Sequence, residues 1–451
     1  MKCTKKFLVF LSLISFVDGF GQKNNYDPNH LYSPDELKSD FRYLQSSIEK
    51  KHPNLYLYTP KIALNIFFDS LYNSIDHPLT AVEFYNIITL LNSKIKDGHT
   101  MFLPGEEETN YLNKNARFFP FYIFATADKI FVTMNCSADT SIKAGAEIVS
   151  INRLIAADIM IQLIARQIRD GNNQTYPIWI LTNYFKEYFG FSFGHPDSFL
   201  ITYKNDSSAI QTKTIYALSK DSIRLYRHAR YFNNIPISDE NKGIIVETNK
   251  KLNTAILTIK SFDKEILKSV YSQNFKTSID NAFSLIENNH INNLILDIRN
   301  NQGGDFKNGC LLLSYLLKQQ IRFLADSKGS RTINPLKNNY KGNLYILVNG
   351  GTFSNTAIVS AYLESTKRGI FIGEETAGNK NIISGDPVEI ILSNTKISAQ
   401  ISTVKYLIQD NFNDGHGIIP TYYMINDINN MILNKDIVKD FSLKLIAENR
   451  Q

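Results

Sequence analysis

The chain has 451 residues and a formal net charge of +6, with 43% hydrophobic and 20% charged residues. This length is sufficient for two or three domains, and the composition is that of a globular protein without a biased tract typical of disorder. The basic residues are spread along the chain and form no dense stripe, so the sequence does not indicate a nucleic-acid-binding surface.

The N-terminus has the three-part pattern of a secretory signal peptide: a basic start, a short apolar run and small residues before a cleavage position. These parts are Lys2, Lys5 and Lys6, then Phe7 to Val17, then Gly19 and Gly21. We therefore expect residues 1–21 to be a signal peptide and the mature protein to be exported, periplasmic or extracellular, with no stable membrane span after cleavage. An uncleaved N-terminal anchor is the alternative, although the apolar run is short for a lone span.

Two cysteines, Cys136 and Cys310, remain after the predicted cleavage, and the sequence leaves open whether they form a disulfide. No cluster of cysteine and histidine residues has the spacing of a metal site. We therefore expect neither a metal nor another cofactor.

Residues 30–105 are predicted to be mainly helical. Two capping boxes, each a Ser or Thr followed three residues later by Glu, mark helix starts at Ser33 and Thr80. The second of these helices is expected to end at Gly98, because glycine readily adopts the left-handed conformation that closes many helices.

Residues 116–220 change to a pattern of strands. Strands are predicted at 121–124 and 129–134, and a turn at Gly145 leads into a further strand and a helix. We interpret this region as a small mixed domain. Residues 170–196 resemble an insertion in that domain, and the sequence assigns them no role.

From residue 240 to the C-terminus, strands alternate with helices. The predicted strands of this region are at 254–259, 293–298, 344–348 and 369–372. Such alternation predicts right-handed βαβ units and a parallel sheet. The fold class is therefore α/β, or α+β multidomain when the preceding regions are included.

Two glycine-containing loops follow strands of this predicted sheet, where α/β proteins place their sites. The first, residues 297–304, reads DIRNNQGG, and the second, residues 348–354, reads VNGGTFS. Such glycines expose backbone N–H groups that can hold an oxyanion, whereas the endings of a phosphate-binding loop are absent from the sequence. Ser354 would lie at a helix N-terminus, either as a reactive serine favoured by the helix dipole or as a simple N-cap.

These two loops, followed by GEETAG at residues 373–378, resemble the core of the C-terminal processing (tail-specific) serine peptidases. The resemblance implies a ClpP/crotonase-like α/β catalytic domain at 240–451, a PDZ-like domain at 116–220 and an N-terminal helical region at 30–105.

The same resemblance assigns roles to residues of the two loops. Ser354 corresponds to the acylating nucleophile of the family. Backbone N–H groups of Gly303 or Gly304, together with that of Asn355, correspond to the oxyanion donors.

The general base is less directly indicated, because Asn379 stands where many family members have a lysine. Lys380 follows one residue later and is an alternative base. A branch of the family similar to the tricorn core peptidase uses a histidine from the N-terminal region. His99, in the sequence DGHT, matches that branch, and we favour it over Lys380. A helix-capping role is the structural alternative for His99.

A third residue is expected to orient the imidazole. Asp414 occupies the position of the acidic residue of the family, with Asp410 as the alternative, although a Glu is usual there and Asp is shorter. Thr421 is a further departure, because an Asp is usual at that place. By itself, the Asp414-Gly415 pair is equally typical of a tight turn.

The resemblance therefore implies an exported serine peptidase that hydrolyses peptide bonds through an acyl-enzyme. Its partner is a peptide or protein substrate, which the PDZ-like domain can present by its C-terminus. Two alternatives remain: a catalytically impaired protein that binds peptides or lipophilic ligands on the same fold, and a hydrolase of small esters.

Overall fold

The structure is a computed structural model that describes residues 26–205, 209–232, 242–326, 329–410 and 412–448. The predicted signal peptide, residues 1–21, lies outside the described residues. Within the described ranges, no helix has both the length and the apolar character needed to cross a membrane.

Helices and strands follow one another along the whole described chain. The helices are α1 (Pro34–Lys51), α2 (Lys61–Asn73), α3 (Ala81–Thr89), α4 (Asn92–Ile95), α5 (Glu106–Asn115), α6 (Ala156–Ala165), α7 (Thr175–Phe193), α8 (Lys220–Arg227), α9 (Lys264–Ser269), α10 (Phe275–Asn288), α11 (Phe306–Leu316), α12 (Asn355–Ser365), α13 (Ile428–Ile432) and α14 (Ile437–Glu448). The strands are β1 (Met101–Leu103), β2 (Phe121–Ala125), β3 (Ile130–Asn135), β4 (Glu147–Ile151), β5 (Leu154–Ile155), β6 (Ser198–Lys204), β7 (Gln211–Tyr216), β8 (Ile244–Asn249), β9 (Thr254–Ile259), β10 (Asn293–Asp297), β11 (Ile321–Asp326), β12 (Gly329–Ile333), β13 (Asn343–Val348), β14 (Ile370–Gly373), β15 (Ile382–Gly385), β16 (Val388–Ile391), β17 (Ser398–Ile401), β18 (Val404–Leu407) and β19 (Tyr422–Tyr423).

The chain forms two compact units. The first unit comprises the chain up to Ile168, together with Pro177–Asn234 and Ser384–Val404. The second unit comprises Arg169–Tyr176, Ile235–Ile383 and the chain from Lys405 onward.

The helical part of the first unit packs α1 to α3 on a small sheet with the order β1-β17-β16. Leu37, Phe41 and Leu44 recur at helical spacing along α1 and are at most 1% exposed. Full burial of such a side chain contributes about 1.5–3 kcal/mol. Asp40 is also buried, and its carboxylate is satisfied by the backbone N–H and the hydroxyl of Thr395, at 2.9 and 2.8 Å.

Both predicted capping boxes are present, at Ser33 before α1 and at Thr80 before α3. The predicted helix end at Gly98 is wrong. α3 ends at Thr89, the short helix α4 follows, and Lys96 takes the left-handed closing conformation with φ 54°. Lysine can adopt this conformation at some cost, and therefore the glycine rule misplaced the helix end.

The other part of the first unit is a mixed sheet with the order β2-β3-β4-β6-β7, with β5 paired to β4. The strands predicted at 121–124 and 129–134 are confirmed as β2 and β3. Helix α7 lies in the region predicted as an insertion, and it buries Leu181, Phe185 and Phe189 against this sheet. The PDZ-like assignment of residues 116–220 stays a prediction.

The second unit contains the predicted parallel sheet, with the order β19-β14-β13-β10-β9-β8. The pairs from β9 to β19 are parallel, and β8 joins β9 antiparallel. All residues of β10 are buried, as expected for a strand covered on both faces. Because β10 and β13 are adjacent and parallel, the loops that follow them meet at the same edge of the sheet.

A second sheet in this region has the order β12-β11-β18-β15.

Cys136 and Cys310 both carry free thiols, and burial raises the pKa of each to about 11. Both thiols are therefore protonated and unreactive at neutral pH.

Candidate active site

Ser354 lies between β13 and α12, in the N-cap position of that helix. Its torsion angles, φ 52° and ψ −127°, are outside the extended region that N-cap residues normally adopt. A non-glycine residue held in such a conformation is strained by about 1–3 kcal/mol, and strain of this kind is concentrated at functional sites. The hydroxyl of Ser354 makes no capping hydrogen bond to the helix. A simple N-cap role therefore does not account for this serine.

The loops that follow β10 and β13 are hydrogen-bonded to each other. The side-chain amide of Asn349 donates to Oδ1 of Asn300 at 2.8 Å, and the Asn300 backbone N–H donates to Oδ1 of Asn349 at 2.9 Å. The Phe353 N–H donates to the Asn301 carbonyl at 3.1 Å. These bonds fix the Ser354 turn against the neighbouring glycine loop.

The Gly303-Gly304 turn closely approaches the start of α12. Both glycines have positive φ, 94° and 130°. A Cβ placed on Gly303 would lie 2.8 Å from the Asn355 nitrogen and 2.8 Å from the Ser354 Cβ. Glycine is therefore required at residue 303 both by backbone conformation and by space.

The backbone amides of this turn differ in their hydrogen bonds. The Gly303 N–H donates to Oδ1 of Asn301 at 2.9 Å and is already engaged. Neither the Gly304 N–H nor the Asn355 N–H donates to an acceptor in the part of the chain that the structure describes. Gly304 and Asn355 therefore offer open donors, and the Asn355 N–H lies at the positive end of a helix. Open N–H groups beside a serine can stabilise negative charge on an oxygen.

The Arg169–Tyr176 segment belongs to the second unit, although the residues before and after it in the chain belong to the first. The Tyr176 ring stacks on Phe353, with ring centroids 4.4 Å apart, and its hydroxyl donates to Oε1 of Gln302 at 3.0 Å. The segment therefore supports the residue that precedes Ser354. It also places the buried carboxylate of Asp170, which is 3% exposed, in the second unit.

The predicted acidic residue Asp414 is engaged by other groups. Its Oδ2 lies 3.5 Å from the Lys380 ammonium, and its Oδ1 accepts the His416 backbone N–H at 2.9 Å. Burial alone would raise the pKa of Asp414, but the His416 amide and the Lys380 charge lower that pKa overall. The Asp414 side chain is 41% exposed, and Asp410 lies on the surface.

Asn379, at the position of the lysine in many family members, organises its own turn. Its side chain is fully buried. Its Oδ1 accepts the Asn381 N–H at 2.7 Å, and its Nδ2 donates to Oδ1 of Asn413 at 2.8 Å. An amide with these bonds has a structural role and cannot accept a proton from serine.

A histidine–carboxylate pair lies near this turn in the sequence. Nδ1 of His416 is 3.0 Å from Oε1 of Glu375, and the same oxygen accepts the Gly417 N–H at 3.0 Å. The His416 side chain is 39% exposed. The sequence assigned no role to His416, and these contacts are those of a residue that fixes a turn.

The first unit contains a buried group formed by two histidines and one aspartate. The Asp97 carboxylate lies 2.8 Å from Nε2 of His52, and it accepts the Thr100 hydroxyl at 2.8 Å and the His99 backbone N–H at 3.0 Å. Burial alone would raise the pKa of Asp97, but the hydrogen bond and charge of His52 lower it overall. Burial lowers the pKa of His99, against the opposing charges of Asp97 and Asp386. His99 is therefore a neutral imidazole near pH 7.

The sequence-predicted site residues are distributed over both units. His99 belongs to the first unit, and the second contains Ser354, Gly303, Gly304, Asn355, Lys380, Asp410 and Asp414. Within the second unit, the structure brings Ser354 together with the glycine turn and Asn355, and it pairs Asp414 with Lys380. The pairing of His99 with Ser354 stays a prediction.

Sequence reasoning missed the contribution of the Arg169–Tyr176 segment. The available signal was a polar run, DGNN at residues 170–173, between two apolar helical stretches. Such a run predicts a loop, but the sequence does not indicate that the loop packs beside a strand edge formed more than a hundred residues later.

The model of peptidase family S41 matches residues 253–424. A carboxyl-terminal-processing peptidase 2 of Arabidopsis thaliana is 32% identical over 123 residues, which are 26% of this chain and 24% of that protein. A C-terminal processing peptidase of Tetradesmus obliquus is 32% identical over 114 residues, 24% of this chain and 25% of that protein. The chain thus spans about a quarter of the length of the curated relatives it matches.

The fold is also similar to a solved structure, that of mature CPAF. The TM-score is 0.65 over 91% of this chain and 96% of that chain, at 11% sequence identity. This likeness confirms the mixed α/β multidomain fold. The family model and the two sequence relatives show that the α/β region at residues 253–424 is similar to peptidase family S41.

Proposed function

We propose that the chain is a serine peptidase that hydrolyses peptide bonds through an acyl-enzyme, with Ser354 as the nucleophile. The observation that carries the proposal is the Ser354 turn: strained torsion angles, a hydroxyl that does not cap its helix, and two open N–H groups at Gly304 and Asn355. A serine on a sharp strand-to-helix turn with adjacent backbone donors is the arrangement used for acyl transfer in other hydrolases.

The proposed reaction proceeds in two stages. A base removes the proton of the Ser354 hydroxyl while the oxygen attacks the peptide carbonyl carbon, and the carbonyl oxygen becomes an oxyanion stabilised by the Gly304 and Asn355 N–H groups. The intermediate collapses, the amine leaves with the proton from the base, and an acyl-enzyme remains. Water then attacks the ester carbonyl while the same base takes its proton. The acid product is released, and the base returns the proton to the serine oxygen.

We propose His99 as the base in the assembled enzyme. Its ring is buried, and burial lowers its pKa. The imidazole is therefore neutral at neutral pH, and one of its ring nitrogens can accept a proton. The rival base, Lys380, lies 3.5 Å from the carboxylate of Asp414. The Lys380 ammonium is therefore already engaged in an ion pair, which disfavours a role as base.

Substrate and location are parts of the same proposal. The family and the names of the two sequence relatives support a peptide or protein substrate. Presentation of a substrate C-terminus by residues 116–220, and export directed by residues 1–21, rest on the sequence patterns alone. N-terminal sequencing of the secreted or periplasmic protein would test cleavage before Gln22.

Hydrolysis of a fluorogenic peptide library tests the proposed activity. The wild-type protein should cleave a subset of the peptides, and Ser354→Ala should lower the rate by several orders of magnitude. Ser365→Ala, an exposed serine at the end of the same helix, is the matched control and should retain the full rate. If wild type and Ser354→Ala are equally inactive while both bind peptides or lipophilic ligands, the chain is a binding protein on this fold. Cleavage of small esters but of no peptide would identify an esterase.

A further inference from the structure

The Arg169–Tyr176 segment carries a buried carboxylate that the mechanism so far does not use. We infer that Asp170, in place of Asp414, is the acidic positioning residue of the Ser354 site. This inference rests on the proposed serine-peptidase function, and it concerns which residue stabilises the base after the base has taken the serine proton.

Asp170 lies close to Ser354 within the second unit. Its Oδ2 accepts the backbone N–H of Asn379 at 3.4 Å. A Cβ placed on Gly378 would be 3.7 Å from this Oδ2 and also 3.7 Å from the Ser354 nitrogen. The carboxylate and the serine therefore border the same space. An imidazole with the hydroxyl at one ring nitrogen and the carboxylate at the other has the size to bridge them.

The segment that carries Asp170 is held in place by the residues that directly follow Asp170. The Asn172 N–H donates to the Gly415 carbonyl at 2.8 Å, and the Asn173 side-chain amide donates to the Thr376 carbonyl at 3.0 Å. Because a positioning residue must hold a fixed geometry, these attachments give Asp170 the rigidity that the role requires.

Asp414 is less suited to the same role. Its carboxylate is 41% exposed and is shared between the Lys380 ammonium and the His416 N–H. A carboxylate that already neutralises a lysine, and that water reaches, contributes little to the stabilisation of a second cation. Asp170 is 3% exposed, and a charge interaction in such a buried place is screened far less.

The proposed role involves no transfer of a proton to Asp170. When the base takes the proton of Ser354, it becomes a cation, and the adjacent carboxylate stabilises that cation and holds the accepting tautomer of the neutral base. The carboxylate stays ionised throughout the cycle. Loss of its charge should therefore slow the chemical step and leave substrate binding largely unchanged.

Asp170→Asn tests this inference, because the asparagine keeps an oxygen that can accept the Asn379 N–H while it removes the charge. We expect kcat to fall by about 10²–10⁴-fold, with KM changed by less than about threefold. Asp414→Asn should lower kcat by less than about tenfold, and Asp440→Asn on the exposed face of α14 is the control for a surface charge. All rates are expressed per Ser354 that reacts with a fluorophosphonate probe over a long incubation, so that unfolded protein is not counted.

A second pair of variants, Asp170→Glu and Asp170→Gln, separates charge from shape at equal length. The kcat of Asp170→Glu should be at least about tenfold higher than that of Asp170→Gln. Equal rates for this pair, or an Asp170→Asn enzyme within about threefold of wild type, would overturn the inference while Ser354 chemistry stands. A larger loss in Asp414→Asn than in Asp170→Asn would return the role to Asp414. Wild-type protein with neither hydrolysis nor Ser354 labelling would remove the proposed function itself, and the inference with it.

Discussion

At Ser354, a single residue carries a conformational cost that the rest of the second unit must offset. The φ of 52° and ψ of −127° suit glycine better than any residue with a Cβ. We therefore expect Ser354→Gly to be more stable than Ser354→Ala by about 1 kcal/mol, which reverses the usual order for these two residues. Urea unfolding of the two variants measures the difference. An alanine variant equal to or more stable than the glycine variant would show that the turn is not strained.

The ionisation of His99 predicts the acid side of the pH profile. Burial lowers the pKa of His99 below its unfolded value, so the neutral form predominates above about pH 6.5 and is lost only at lower pH. The midpoint of the acid limb of kcat/KM should therefore lie below about 6.5. The stability that depends on neutral His99 is likewise fully present above the unfolded pKa and lost as pH falls.

A pH titration of kcat/KM between acid and neutral conditions measures this midpoint. His99→Gln, which cannot ionise, should retain only a small residual rate without this acid limb. An acid midpoint at or above about 6.5, or a His99→Gln enzyme with the wild-type rate and profile, would contradict the role of His99.

At the scale of elements, the site depends on the close approach of the glycine loop to helix α12. A methyl group on Gly303 would stand 2.8 Å from both the Asn355 nitrogen and the Ser354 Cβ, at a backbone φ of 94°. Gly303→Ala should therefore move the Ser354 turn, lower kcat by at least about 10²-fold and lower the free energy of unfolding by about 2–3 kcal/mol.

Gly329→Ala is the matched control for this prediction. Gly329 also has a positive φ, 119°, but a Cβ there meets no other atom within 4 Å. Gly329→Ala should lower the free energy of unfolding through backbone strain alone and leave kcat unchanged. Similar kcat losses in both variants would show that the packing of the two loops is not what positions Ser354.

The elements of the second unit were largely predictable, and the reason is local. The buried strands β9, β10 and β13 are short apolar runs bounded by turn residues, and the glycine loops follow them directly. The 170–196 region was not predictable in the same way. Its first residues belong to the second unit, and most of α7 belongs to the first. These assignments depend on long-range contacts that periodicity does not encode.

The candidate site shows the same division between local and long-range information. Sequence motifs sufficed to single out Ser354, Asn355 and the paired glycines. They did not show that the Gly303 N–H is used by Asn301, because that bond depends on loop conformation. They also directed attention to Asp414 rather than to Asp170, because a family position was visible in the sequence and a folded-back segment was not.

At the scale of the molecule, the second unit joins its C-terminal helix to the active-site edge of the sheet through one arginine. Arg299, two residues after β10, pairs with Asp297 at 2.6 Å and with Asp436 at 2.7 Å, next to the start of α14. Burial alone would lower the pKa of Arg299, but the hydrogen bonds and charges of both carboxylates raise that pKa overall. The group is mostly shielded from solvent, with Arg299 18% exposed.

Arg299→Met should therefore lower the free energy of unfolding by about 3 kcal/mol, because it leaves two partly buried carboxylates without their partner. Lys444→Met removes an exposed cation from α14 and should cost less than about 0.5 kcal/mol. Guanidinium chloride unfolding of both variants measures the two losses. Equal losses would show that the Arg299 group does not hold α14 to the sheet.

The position of a covalent adduct identifies the nucleophilic serine. The protein is treated with a fluorophosphonate, digested, and analysed by mass spectrometry, with His99→Gln and Ser365→Ala treated in parallel. We expect one phosphonylated peptide that carries the adduct on Ser354, full labelling of Ser365→Ala, and labelling of His99→Gln at least about 10²-fold slower than wild type. An adduct on a different serine, or no adduct on Ser354 in folded wild-type protein, would contradict the assignment of Ser354 as the nucleophile.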